Sequence, residues 1–386
     1  MSFKAGYSRF LGGLGEKLHF CAHSHHPWPD CTRDAHLRAW DDATARADEK
    51  WGIVLGEMLP RARSAIASVL RLPNPDAVAF APNTHEFIVR LLSCLPEKPR
   101  ILTTDSEFHS FSRQAARLEE DGAHVIRIAV EPFATFAERF IHAARSGGWD
   151  MIFHSQVFFN SGLRLSDDEL GRIAGAVNEK AVYVIDGYHA FMAVPVDLAR
   201  LSARAFYLAG GYKYAQAGEG VCFMAVPPGC SLRPRNTGWF ADFAGLEKGI
   251  SKPVGYGEHG WRFWGSTFDP SGLYRWNAVT DWRRSLNMTV EKSDAHVRGL
   301  QSHFLKRLAV KPRGPFKTEA LISTDLSRLG HFLTFRLSDA SALSKKLAAD
   351  HGVLTDARGD RLRFGFGLYH DQTDIDALFS RLDRFS

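Results

Sequence analysis

Between residues 77 and 226 the chain alternates short apolar runs with amphipathic stretches, and this rhythm restricts the fold more than any other feature. The runs at 77–81, 100–103, 125–130, 150–154, 181–185, 206–209 and 221–226 have the length and bounding turn residues of buried strands. Residues 82–95, 110–120, 133–146 and 167–178 repeat their apolar positions at helical spacing. Strand–helix–strand alternation predicts an α/β fold with a mainly parallel sheet and helices on both faces. Ligands on such sheets bind just beyond the carboxyl ends of the strands. Phe108, Ser155, Gln156, Asp186, His189 and Lys213 all fall at or just past those ends, so they are expected to share one site.

Within that frame Lys213 stands out. It follows an apolar run and the pair Gly210-Gly211, and it lies between Tyr212 and Tyr214. A lysine delivered into such a loop is either a snorkelling surface residue or a buried amine. Burial lowers the pKa of an amine and suits it to Schiff-base chemistry. Asp186 ends a run of apolar residues, where a carboxylate is costly without a partner. A turn or cap role is the other reading of an Asp-Gly pair, and His189 follows three residues later. Asn83 and Thr84 are good N-cap residues for the helix that runs to 95. A strand feeding such a helix start is either a simple cap or a phosphate site.

The rest of the sequence sets boundaries. The net charge of +5 is dispersed, which speaks against nucleic-acid binding and is compatible with an anionic ligand. No stretch approaches the length of a membrane-spanning helix, and the N-terminus lacks a signal-peptide core. Five irregularly spaced cysteines fit reduced thiols in a cytoplasm. The segment from His19 to Cys31 is rich in histidine (His19, His23, His25, His26) but lacks zinc-ligand spacing, so a loop lining a polar cavity is expected there. Long helices are expected over 33–57 and 59–72, a non-periodic excursion over 228–269, and further helices over 273–286 and 291–308. A small α+β unit follows, with strands over 331–337 and 361–366 and helices over 340–350 and 373–385. Arg361 and Arg363 share one face of the later strand. Either that pair faces solvent or one of them captures a carboxylate.

Together these residues resemble the class V aminotransferase family of pyridoxal-phosphate enzymes (fold type I), and within it most closely the kynureninases. The most specific pieces are Asp186-Gly-Tyr-His189, Val194-Pro-Val-Asp-Leu198, Tyr212-Lys213-Tyr214 and Gly238-Trp239-Phe240. The resemblance implies a seven-stranded type of sheet in a large domain over 1–270, to which the arm 1–58 adds active-site residues. It also implies a small domain over 271–386 and a homodimer with shared active sites. Lys213 would attach pyridoxal 5′-phosphate and later shuttle the α-proton. Asp186 would pair with the pyridine nitrogen, Phe108 would stack on the ring, and His189 would sit near its edge. Asn83, Thr84, Tyr212 and, from the second subunit, Thr267 would hold the phosphate. Trp239 belongs to the same cofactor-binding set, and Arg363 matches the position of the family's substrate-carboxylate arginine.

The implied reaction is hydrolytic Cβ–Cγ cleavage of a kynurenine-type substrate to alanine and an aromatic acid. The alternatives are class V transamination or another pyridoxal-phosphate lyase reaction, and beyond these a non-enzymatic metal- or cofactor-binding role. Departures from the kynureninase pattern are Phe111 in place of an acidic residue, Phe158-Phe159 in place of Asn-Tyr, Thr267 in place of asparagine, and the His23-Ser-His-His26 segment. Cysteine desulfurase activity requires a thiol on a late loop, and no cysteine follows Cys230.

Overall fold

The computed structural model describes residues 2–249 and 252–384. Twelve strands occur along the described chain. In order they are β1 (Leu18–His19), β2 (Val78–Ala81), β3 (Arg100–Thr104), β4 (His124–Ile128), β5 (Met151–Ser155) and β6 (Val182–Asp186). They continue with β7 (Phe206–Gly210), β8 (Cys222–Ala225), β9 (Phe332–Arg336), β10 (Val353–Leu354), β11 (Asp356–Arg358) and β12 (Arg361–Gly365). A seven-stranded sheet runs in the order β2-β8-β7-β6-β5-β3-β4. Only β8 is antiparallel to its neighbours; β4, β3, β5, β6 and β7 pair in parallel. Strands β2, β5, β6, β7 and β8 are buried along their whole length. Burial on both faces explains why their sequences read as continuous apolar runs rather than alternating ones.

The helices joining these strands match the expected amphipathic stretches with modest shifts at their ends. Thr84–Leu92 buries Phe87, Ile88 and Leu91 along one face, and Asn83 caps it by accepting from the Glu86 amide at 3.0 Å. Asp167–Ala174 starts with a capping box between Ser166 and Glu169. The expected long helix over 33–57 is instead broken. An α-helix spans Cys31–Arg46, Ala47 then adopts φ 47°, and short helical turns lead to the helix Leu59–Leu70. The final helix is Gln372–Leu382, and the expected end at Phe385 lies outside the described residues.

A second, antiparallel sheet in the order β11-β12-β9 is covered by the helices Val290–Val310, Ala340–His351 and Gln372–Leu382. Its core is aromatic: Phe304 packs against Phe335, Phe364, Phe366 and Phe379. Each such ring contributes about 2 kcal/mol by leaving water. The first thirty residues tie this sheet to the larger one. Strand β1 pairs in parallel with β10, Gly365 donates to Phe20 at 2.7 Å, and His26 donates its amide to the Tyr212 carbonyl at 3.3 Å. The N-terminal arm therefore touches both the small sheet and the loop that carries Lys213. Among the described residues no helix is long and apolar enough to cross a membrane.

Candidate active site

The carboxyl ends of β2, β3, β5, β6 and β7 converge on one cavity of about 560 Å³. Its lining includes Asn83, Thr84, Phe108, Ser155, Asp186, His189, Tyr212 and Lys213. Strand register accounts for part of this convergence. Ser155 on β5 lies opposite Asp186 on β6, and Asp186 lies opposite Leu208 on β7. The turn after β7 then brings Lys213 back over the same end. Gly210 permits this close approach, because a Cβ there would meet the Tyr188 hydroxyl at 2.3 Å and Cys222 Sγ at 2.4 Å.

Lys213 is buried, and its Nζ lies 2.9 Å from Nε2 of His189 and 4.6 Å from the centre of the Tyr188 ring. Burial lowers the lysine pKa to about 8, against a smaller opposing pull from Asp186. His189 is held well below its ordinary pKa, first by burial and then by the charges of Lys213 and Arg363, which favours the neutral imidazole beside the amine. Burial raises the pKa of Asp186, while the Tyr188 amide, 2.9 Å from Oδ1, and Lys213 pull it down.

Glu107, not among the residues expected at the site, sits beside this cluster against Ser155. Its carboxyl is buried and accepts from Thr104 Oγ1 at 2.6 Å, from the Ser155 amide at 3.1 Å and from Ser155 Oγ at 2.6 Å. Burial pushes its pKa up to about 8, with a contribution from Asp186. Its signal in the sequence is slight, since it is one acidic residue in a polar loop. Only the pairing of β3 beside β5 brings that loop against Ser155.

Four expected site residues do not line the cavity of the single chain, and one of them, Gln156, is fully buried and accepts from the Tyr207 hydroxyl at 2.9 Å. Trp239 is 41% exposed and its ring, tilted by 38°, packs against Phe240 at 4.1 Å. Thr267 is exposed. Arg363 is buried just beyond the wall, where it donates to the Phe159 carbonyl and pairs with Asp356. Its guanidinium lies 5.7 Å from the ring of Phe159, which does line the cavity. Arg361 points elsewhere and binds Glu131 at 2.8 Å and Asp360 at 2.9 Å. The histidine-rich segment is dispersed. His23 is buried and stacks on Phe332 at 4.7 Å, His26 packs against Tyr369 and Tyr214, and His25 lies 3.6 Å from Glu219. Among the described residues no group of three or more His, Cys, Asp or Glu is placed to hold a metal ion.

A larger cavity, about 970 Å³ between the Leu59–Leu70 helix and residues 276–291, contains neither Lys213 nor Asp186. Its arginines Arg61 and Arg284 pair with Asp281, and Arg71 with Asp197, which leaves no comparable reactive cluster.

No curated protein sequence matches the chain. Among solved structures, a complex of the C-DES protein in which glycine is covalently linked to the PLP cofactor superposes with a TM-score of 0.84 at 17% identity, covering 100% of both chains. The cystine C–S lyase C-DES bound to cysteine persulfide gives 0.81 at 17% identity over 96% of this chain and 98% of that one. A cysteine desulfurase from Thermococcus onnurineus gives 0.77 at 15% identity over 96% and 94%. At these identities the likeness establishes a shared fold, that of the type I pyridoxal-phosphate enzymes. The sequence over residues 34–378 matches the family described as aminotransferase class-V. The chain belongs to the aminotransferase class-V family, whose cofactor is pyridoxal 5′-phosphate.

Proposed function

We propose that this chain is a pyridoxal-phosphate-dependent lyase acting at the α- and β-carbons of an amino acid, with transamination as the second reading. The observation that carries the reading is the buried Lys213 amine, in hydrogen-bond contact with a neutral His189 and in one cavity with Asp186. The residues present fit the cofactor. His189 Nδ1, in the cavity wall, is buried without a hydrogen-bond partner among the described residues, and so is available to a polar group of a ligand. The helix beginning at Thr84 turns the positive end of its dipole toward the cavity, which suits a phosphate.

When bound, pyridoxal phosphate supplies an electron sink for the pair left on Cα as a bond to it breaks. Everything else falls to the protein. Lys213 Nζ would hold the group and move the Cα proton, a task suited to an amine whose pKa is about 8. Asp186 would hold a positive charge on the group, Phe108 would cover it, and Asn83, Thr84 and Tyr212 would hold its phosphate. Arg363, behind Phe159 in the cavity wall, would be the group that meets the substrate carboxylate.

The leaving group is where the kynureninase-like reading weakens. Phe111 stacks face to face on Phe153 at 3.7 Å, and Phe158 is buried against Phe133 and Phe136. Neither position offers a polar group to a kynurenine ring. A desulfurase mechanism lacks a suitable thiol. Cys222, the cavity's own cysteine, is buried 3.4 Å from the Tyr188 hydroxyl, and its pKa is pushed up to about 11. β-Elimination needs neither feature.

Trp239, Phe243, Leu246 and Val254 are exposed large apolar side chains in the excursion before Thr267. This supports the further proposal that a second copy covers this face and lends its Thr267 to the phosphate.

Incubation of the holoenzyme with L-cystine, L-cysteine, L-kynurenine, and L-alanine plus 2-oxoglutarate separates the readings. Pyruvate and ammonia from cystine or cysteine support elimination. Anthranilate and alanine from kynurenine would restore the kynureninase reading, and glutamate formation would favour the aminotransferase. No turnover of any of them by a cofactor-loaded protein would contradict the lyase proposal for sulfur amino acids.

A further inference from the structure

The guanidinium of Arg363 is not free. Strand register sets Asp356 of β11 directly opposite Arg363 of β12, and the Asp356 carboxylate accepts from Nη2. Nη1 is committed to the Phe159 carbonyl. Nε is the one nitrogen without a partner among the described residues. The arginine and aspartate side chains are only 3% and 10% exposed, so water does little to screen their attraction. His23, fully buried with no hydrogen-bond partner on either ring nitrogen among the described residues, closes over Asp356 at 3.8 Å. Arg358, at 2.6 Å from Asp356, approaches from the exposed side.

We infer that Asp356 is a specificity-determining residue, an internal carboxylate that occupies the Arg363 fork and so reduces the advantage of substrates bearing an α-carboxylate over amines that lack one. The inference rests on the reading of Arg363 as the group facing the substrate carboxylate. Its physical basis is competition. Bidentate capture needs two parallel N–H donors, and here an incoming carboxylate must either displace Asp356 or lie beside it at the cost of like-charge repulsion. The site is thereby opened to primary amines as ligands of the same cofactor.

The test compares L-alanine with ethylamine, which differ by the carboxylate alone, through the spectral change each causes in the cofactor-loaded protein. Wild type is expected to prefer L-alanine by less than about 100-fold; a larger preference, as an unencumbered arginine would give, overturns the inference. Asp356→Asn keeps the size and one acceptor while removing the charge, and is expected to tighten L-alanine binding at least about tenfold with ethylamine unchanged. An Asp356→Asn protein that binds L-alanine no better, in a background where Arg363→Gln weakens it, sinks the role of Asp356 and leaves that of Arg363 standing. L-Alanine binding unaffected by Arg363→Gln, in a protein that still binds ethylamine, removes Arg363 from the substrate site and this inference with it. If Asp356→Asn fails to fold, the wild-type ratio alone decides.

Discussion

Nζ of Lys213 lies 2.9 Å from Nε2 of His189, in a wall where both side chains are buried. Burial favours the neutral imidazole there, so it offers the amine a hydrogen-bond partner without adding charge. Burial holds the lysine pKa near 8 rather than at its ordinary 10.5. For a lysine whose pKa is lowered, the reactive free amine predominates above that value. The rate at which cofactor-free protein captures pyridoxal phosphate should therefore rise with pH to a midpoint near 8. Asp186→Ala should move the midpoint lower, because Asp186 favours the ammonium form. Stopped-flow absorbance at several pH values measures both.

Glu107 carries an opposite signature. Its pKa is raised to about 8 from an ordinary 4.5, so the folded protein binds a proton there that the unfolded chain has lost. Stability is therefore highest, as far as this group is concerned, below its unfolded pKa and declines as pH rises toward 8. Glu107→Gln keeps the acceptors for Thr104 and the Ser155 amide but cannot ionise. It should cost little at pH 5 and exceed wild type at pH 9 by roughly 1–3 kcal/mol in urea denaturation. Glu107→Ala, which abandons the three hydrogen bonds, should be destabilised at both pH values.

Gly210→Ala places a methyl within 2.3–2.4 Å of the Tyr188 hydroxyl and Cys222 Sγ, both held by packing. Overpacking of this kind costs about 1–3 kcal/mol. Because the clash lies at the end of β7, cofactor affinity should fall together with thermal stability. Gly299→Ala, on an open face within the helix Val290–Val310, should leave cofactor affinity unchanged and raise stability by about 0.5–1 kcal/mol.

Asn83→Ala removes the acceptor for the Glu86 amide and should cost about 1 kcal/mol in stability. If the same helix start holds the phosphate, pyridoxal phosphate should bind more weakly to the variant while pyridoxal, which lacks the phosphate, is unaffected. Equal effects on both would reduce Asn83 to a cap.

How far these sites are visible in the sequence depends on how local their causes are. The strands that end at Ser155, Asp186 and Gly210 are fully buried, so apolar run length locates them within a residue or two. Asn83 announces itself because capping is a local hydrogen bond. Strand β11 has only three residues, Asp356-Ala-Arg358, and none of them is apolar enough to mark burial. Its existence follows from pairing with β12, and so the partner of Arg363 could not be read from the sequence. The break at Ala47 is likewise invisible, since alanine is a strong helix former and the turn there is imposed by the surrounding fold. Glu107 is of the same kind, because its burial depends on β3 lying beside β5.

The measurement closest to the central claim is the absorption spectrum of the purified protein and of Lys213→Ala, each with pyridoxal phosphate and then gel-filtered. Covalent attachment at Lys213 predicts a wild-type band at about 410–430 nm that survives filtration and borohydride fixation, and its loss in Lys213→Ala. A wild-type protein that retains no such band, or a Lys213→Ala protein that fixes the cofactor equally well, would contradict the account.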